Sequence, residues 1–241
     1  SSSGFLNYLP NLNFNGQDSL TLEVSDGVLF DRQVFDITVL PINDAPQMSL
    51  STDTLDINTS EDANLSYFVQ ASDPDGDSLT WSILETSSKG NSSIDSSSGN
   101  LIYWPNPNYT GLDSLLVQVS DGVLKDNITI TISISPVNDA PVIIESNSSL
   151  SFTLFEDQNF TRDINASDVD GDSLTWILET APEYGTALLN STTGYLTYTP
   201  NLNYVGLDSL KIVLTDGAQE DEQFFNFVIM EKNDPPFFLD S

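Results

Sequence analysis

The residues with the most chemistry in this sequence are carboxylates, and they come in sets. Ser72–Trp81 reads SDPDGDSLTW, which groups Asp73, Asp75 and Asp77 around one glycine. Ser167–Trp176 reads SDVDGDSLTW and places Asp168, Asp170 and Asp172 in the same way. Paired acids recur at Glu61–Asp62 and Glu156–Asp157, and an aspartate precedes glycine at Asp26, Asp121 and Asp216. A last set is the Asn-Asp pair at Asn43–Asp44, Asn138–Asp139 and Asn233–Asp234. Carboxylate and carboxamide oxygens are hard donors. They suit Ca2+, which takes about six to eight oxygens at roughly 2.3–2.6 Å. Like charges ~4 Å apart repel by about 1 kcal/mol in water and by more near a protein surface, so a cation among them relieves real strain. The alternative is a solvated hairpin turn, which Asp and Gly form without any metal. An EF-hand fits less well, because it needs glycine sixth and glutamate twelfth in its loop. Gly76 and Gly171 stand fourth, and the twelfth place holds Glu179 in one copy but Leu84 in the other.

Composition narrows the partners. The 241 residues carry 36 Asp+Glu against 6 Lys+Arg, a formal net charge of −30. Such a chain repels phosphate backbones and anionic lipid surfaces, so nucleic acid and membrane surfaces are excluded as expected partners. The absence of cysteine removes disulfides and thiolate metal sites, and the absence of histidine removes His-dependent triads and His-ligated zinc. Hydrophobic residues make up 39% of the chain, enough for packed cores. No apolar run is long enough to span a bilayer and no signal peptide is read at the start, so no membrane insertion is expected in this segment.

The elements that position the acids follow from an internal repeat. NDAP occurs at Asn43–Pro46 and Asn138–Pro141, and NDPP at Asn233–Pro236, each step being 95 residues. PNLNFNGQDSL, PNPNYTGLDSL and PNLNYVGLDSL begin at Pro10, Pro105 and Pro200. The expected domains are the second half of a repeat at 1–44, complete repeats at 45–139 and 140–234, and the start of another at 235–241. The chain thus reads as a segment of a longer array. Within a repeat the hydrophobic period is two. Leu65, Tyr67, Val69 and Ala71 alternate with polar residues, as do Leu79, Trp81 and Ile83, then Leu101 and Tyr103. Leu115, Val117 and Val119 follow, then Ile128, Ile130, Ile132 and Ile134, with Gly, Pro, Asn and Asp between the runs. About seven short strands in such a length predict an all-β fold: tandem immunoglobulin-like Greek-key sandwiches in an elongated array.

The ordered set EDANLSYFVQASDPDGD (Glu61–Asp77), QVSDG (Gln118–Gly122) and SPVNDAP (Ser135–Pro141) resembles the cadherin repeat, above all the bacterial cadherin-like tandem repeats of this length. The resemblance covers essentially the whole chain. It implies calcium ligands gathered where consecutive repeats join. The glutamate would come from the preceding repeat, the Asn-Asp pair from the linker, and the D-x-D and DG acids from the following repeat. One set would be Glu61, Asn138, Asp139, Asp168, Asp170 and Asp216. The set before it would hold Asn43, Asp44, Asp73, Asp75 and Asp121, and the last Glu156, Asn233 and Asp234. Animal cadherins carry a further acidic motif ahead of the DG strand. Asp18, Asp113 and Asp208 are the nearest acids here but sit differently, which implies fewer ions per junction.

The aromatic residues divide by parity. Trp81, Trp176, Tyr103 and Tyr198 alternate with polar neighbours, which predicts burial. Trp104 lies on the opposite parity, which suits a contact with a neighbouring domain or a glycan. Phe14, Tyr109 and Tyr204 are read as plugs of the P-N-x-N loop corner. No unique pair of acids in one cleft suggests an enzyme, since the acids recur in every repeat. The function expected is therefore a calcium-rigidified extracellular stalk or adhesin of a cell-surface protein, with calcium and cell-surface proteins or glycans as partners. The alternatives are a carbohydrate-binding repeat module of a polysaccharide-degrading or surface protein, and a metal-free spacer or filament subunit.

Overall fold

A computed structural model describes residues 4–50, 52–145 and 148–233. It divides into two compact units, Ser1–Pro136 and Val137–Ser241. Among the described residues every regular element is a strand. The first unit holds β1 (Gly16–Ser25), β2 (Phe30–Val39), β3 (Gln47–Met48), β4 (Thr54–Ser60), β5 (Leu65–Phe68) and β6 (Ala71–Ser72). It continues with β7 (Thr80–Glu85), β8 (Gly90–Ile94), β9 (Asn100–Pro105), β10 (Gly111–Ser120) and β11 (Lys125–Ser135). The second holds β12 (Val142–Ile143), β13 (Ser149–Phe155), β14 (Phe160–Asp163), β15 (Ala166–Ser167) and β16 (Thr175–Thr180). Its last strands are β17 (Gly185–Leu189), β18 (Tyr195–Pro200), β19 (Gly206–Thr215) and β20 (Glu220–Met230).

Both units build the same sandwich. In the first, one sheet runs β4-β11-β10-β7 and the other β5-β9-β8, with a two-residue pair β3-β6. The second repeats this as β13-β20-β19-β16, β14-β18-β17 and β12-β15. Only β4 on β11 and β13 on β20 pair in parallel; the other ladders are antiparallel. The long hairpins follow from the DG turns, where Gly122 and Gly217 take φ values of 101° and 102° that glycine adopts without a Cβ clash. The five alternating runs read from the sequence fall on β5 with β6 and on β7, β9, β10 and β11; β3, β4 and β8 complete the repeat.

The alternating residues meet between the sheets. Leu101, Tyr103, Val117, Val119, Ile128, Ile130 and Ile132 form the first core, with Leu65, Tyr67, Leu79, Trp81 and Ile83 packed at its margin. Leu196, Tyr198, Leu210, Ile212, Phe225 and Phe227 form the second with Trp176. Tyr198 stacks on Phe227 with ring centroids 4.1 Å apart. Trp104 faces solvent. The hairpin β1-β2 keeps the register of β10-β11, yet Leu22, Val24 and Phe35 are exposed where Val117, Val119 and Ile130 are buried. Residues 5–10, which stand 95 places before β9, form no strand and do not cover this face.

The P-N-x-N loops are turns with a left-handed step. Asn13, Asn108 and Asn203 have φ values of 57°, 57° and 56°, a region Asn tolerates better than other side chains. Tyr109 and Tyr204 close the corner by donating their hydroxyls to the carbonyls of Leu112 and Leu207, both at 2.8 Å.

Candidate metal centre

Each unit gathers five of the residues implied by the resemblance at one end of its sandwich. In the first, the Asn43 amide donates to Asp121 Oδ2 at 2.9 Å, and the Asp44 N–H donates to Asp75 Oδ2 at 2.7 Å. Asp73 Oδ1 accepts the N–H groups of Asp75 and Asp77 at 2.9 and 3.2 Å. Asp121 Oδ1 caps the DG turn by accepting from Val123 and Leu124, both at 2.6 Å. The second unit repeats these contacts. Asn138 donates to Asp216 Oδ2 at 2.9 Å, Asp139 N–H to Asp170 Oδ2 at 2.7 Å, and Asp172 N–H to Asp168 Oδ1 at 3.1 Å. Gln219 adds a bond to the Asn138 carbonyl at 2.6 Å. The linker is thereby docked on both the D-x-D turn and the DG turn of the sandwich that follows it.

Oxygens remain for an ion after these bonds are made. Carboxylate oxygens of Asp73, Asp75 and Asp77 lie within 4.8 Å of one another, as do those of Asp168, Asp170 and Asp172. Asp73 Oδ2 and Asp168 Oδ2 are buried, and among the described residues neither has a hydrogen-bond partner. An ionised oxygen withdrawn from water without a partner is unfavourable by several kcal/mol, by roughly the scale of buried-charge desolvation. A calcium ion among Asp73, Asp75 and Asp77 would supply the missing counter-charge, and the donor set is all oxygen, as Ca2+ requires. The residues present fit that ion. The DG acids are already tuned as anions. The Asn43 amide, then the amides of the turn, hold Asp121 below the usual aspartate pKa. Asp216 is lowered by the Gln219 N–H, then by Asn138 and Ala218.

The glutamates lie elsewhere in their units. Glu61 is buried and its N–H donates to Ser135 at the C-terminal end of β11, whereas Asp121 precedes the other end. β11 has eleven residues, which at ~3.3 Å each is about 35 Å. Glu156 is placed likewise: it is buried, and its Oε1 accepts the Lys232 N–H at 2.8 Å. Asn233 is exposed and follows Lys232, while Asp234 and the expected repeat start at 235–241 lie outside the described residues.

Three further sets of acids recur at 95-residue spacing, and the structure gives each its role; Asp126 and Asp221 were not singled out from the sequence. Asp77 and Asp172 complete the carboxylate trios. Asp126 and Asp221 latch the strand after the linker, accepting from Met48 and Ile143 N–H at 2.8 Å each. Asp113 is buried and accepts from the Tyr103 hydroxyl at 2.9 Å and from Ser88, Lys89 and Ser114 N–H at 3.1, 2.9 and 2.9 Å. Asp208 does the same with Tyr198, Glu183, Tyr184 and Ser209. These are internal fasteners rather than replacements for a missing cation motif. Repetition in the sequence marks ligand and fastener alike; only the partners of each oxygen separate them.

Residues 43–136 match the family model of a bacterial cadherin-like domain, and residues 138–228 that of a bacterial Ig domain. Dachsous of Drosophila melanogaster is 33% identical over 149 residues, 56% of this chain. The chain spans 4% of that protein's length. Among solved structures, the protocadherin gammaB7 EC3-6 cis-dimer superposes with a TM-score of 0.53 at 16% identity, covering 88% of this chain and 60% of that one. Form II of human protocadherin-24 EC1-2 gives 0.51 at 15% identity, covering 79% of this chain and all of that one. At these identities the likeness concerns the fold. The chain is thus a tandem of cadherin-like and Ig-like β-sandwich repeats.

Proposed function

We propose that this segment is a calcium-binding, non-catalytic repeat array on the outside of a cell, serving as a stalk or adhesive part of a surface protein. The observation that carries this reading is the pair of buried, partnerless oxygens, Asp73 Oδ2 and Asp168 Oδ2, each inside a carboxylate trio beside a docked Asn-Asp linker. Asn43, Asp44, Asp73, Asp75 and Asp121 hold one ion group, and Asn138, Asp139, Asp168, Asp170 and Asp216 the next. Glu61 contributes to the second group and Glu156 to a third with Asn233 and Asp234. The ions neutralise crowded acids and fix each linker to its sandwich, so the metal-free linker is looser. The boundaries of the repeats fall at 44/45, 139/140 and 234/235.

The test is thermal melting and small-angle scattering of the chain with and without calcium. Calcium at low-millimolar concentration raises Tm and narrows the distribution of dimensions, and magnesium does so less, because it demands a tighter octahedron. An unchanged Tm and scattering profile would falsify the calcium reading and leave a metal-free spacer. Glu61→Gln weakens one of the sites while Asp62→Asn does not; equal effects of the two remove Glu61 from the ligand set.

A further inference from the structure

The second unit carries a groove unrelated to the acidic trios. Its volume is about 630 Å³, within the range of small-molecule sites. The floor is the outward face of β13, β20 and β19, where Ser151, Asn226 and Ser209 form one cross-strand row. Val228 and Leu207 form the adjoining row and are exposed despite being apolar. The wall is the segment from Thr180 to Tyr184. Tyr184 stands 39% exposed. One of its faces is covered by Tyr204, with centroids 4.5 Å apart and planes within 3°.

Several polar atoms of this groove are uncommitted. Among the described residues, the hydroxyls of Ser151, Thr180 and Ser209 make no hydrogen bond. The Asn226 amide nitrogen donates to Ser149 Oγ at 2.8 Å and Leu150 O at 3.5 Å, which leaves its carbonyl oxygen as a free acceptor. Glu183 stands beside the Tyr184 hydroxyl, and that contact raises the phenol's pKa.

We propose that this groove is a binding site for a neutral saccharide. A pyranose ring has an apolar C–H face and a rim of hydroxyls. The apolar row and the ring of Tyr184 match the face, and the Ser151–Asn226–Ser209 row with Glu183 matches the rim. Neutrality follows from charge: Glu183 and Asp208 line the groove, and the chain carries a formal −30, so anionic sugars are repelled. An extended peptide is disfavoured over the middle of the floor, because β19 and β20 each have neighbours on both sides and offer no free backbone ladder.

The first unit supplies an internal control. Lys89 stands where Tyr184 does, 95 residues earlier, with its ammonium 5.7 Å from the Tyr109 ring centroid. Thr131 stands where Asn226 does. Tyr184→Lys and Asn226→Thr therefore install residues that the same fold already accommodates.

The experiment is amide chemical-shift mapping of the whole chain, calcium held constant, with cello-, manno-, xylo- and chito-oligosaccharides at low-millimolar concentration. At least one of them shifts the amides around Tyr184, Ser209 and Asn226. Tyr184→Lys weakens that binding at least about tenfold at unchanged Tm, a difference of about 1.4 kcal/mol. Should that variant melt early, Asn226→Thr gives the same reading through the floor. No shift with any of the four, or wild-type binding by both variants, overturns the site. Shifts produced instead by an oligouronate or a proline-rich peptide overturn the ligand class.

Discussion

Asp113 accepts bonds from Tyr103, Ser88, Lys89 and Ser114, so its charge is consumed inside the repeat, whereas Asp73 keeps a buried oxygen with no protein partner. Burial works to raise the Asp113 pKa. The bonds from Ser88, Tyr103, Lys89 and Ser114 outweigh it, and the net shift is downward. A carboxylate whose pKa is lower folded than unfolded contributes its full stabilisation above the ordinary aspartate range. That contribution fades as pH falls through the folded value. Asp113→Ala leaves the Tyr103 hydroxyl and two loop amides without an acceptor. We expect a loss of about 3 kcal/mol in urea unfolding of the first unit and a flatter acid limb of its stability curve. A variant as stable as wild type at neutral pH and equally acid-sensitive contradicts this. At this scale the sequence was half legible. It placed Asp18, Asp113 and Asp208 in register, but spacing is silent on which way a carboxylate faces. In the half repeat the same pair survives as Tyr8 to Asp18 at 2.8 Å, exposed.

The strands were legible because each buries one face, and that alternation reads directly as Val, Ile, Leu, Tyr and Trp at every second place. Tight turns were legible in kind though not in consequence. Gly194 has φ 73°, and a Cβ there would lie 2.7 Å from both the Ile164 carbonyl and the Trp176 ring. Gly194→Ala combines an unfavourable backbone region with a clash against a buried indole, and lowers stability by about 2 kcal/mol or more. By contrast Asn108→Gly keeps the left-handed step of its loop and is nearly neutral, while Asn108→Ala loses about 1 kcal/mol. Thermal melts of the three variants check both statements together. A mild Gly194→Ala, or equal effects of the two Asn108 changes, removes the conformational reason for these residues. The groove beside Tyr184 escaped the sequence reading. Its floor combines outward residues of three strands, and its distinguishing change, Tyr184 for Lys89, interrupts the repeat rather than following it.

For the whole molecule, the net charge of −30 is spread over two repeats with cores of their own and a half repeat whose apolar face is open. Self-repulsion of that size destabilises compact states, and simple salt screens it. Sodium chloride therefore raises the Tm of the metal-free chain modestly. On the proposed reading, calcium bound at specific oxygens would act at far lower concentration than screening requires. The likeness to cadherin-like and Ig-like repeats was legible from the order and interval of weak motifs, none sufficient alone. The direct measurement is a calorimetric calcium titration of the intact chain beside Asp73→Asn and Asp168→Asn. Wild type takes up calcium at discrete saturable sites, and each substitution abolishes or weakens the sites of its own repeat while leaving the core intact. Heats indistinguishable from dilution, or uptake unaffected by either substitution, contradict an ion held in the D-x-D turns.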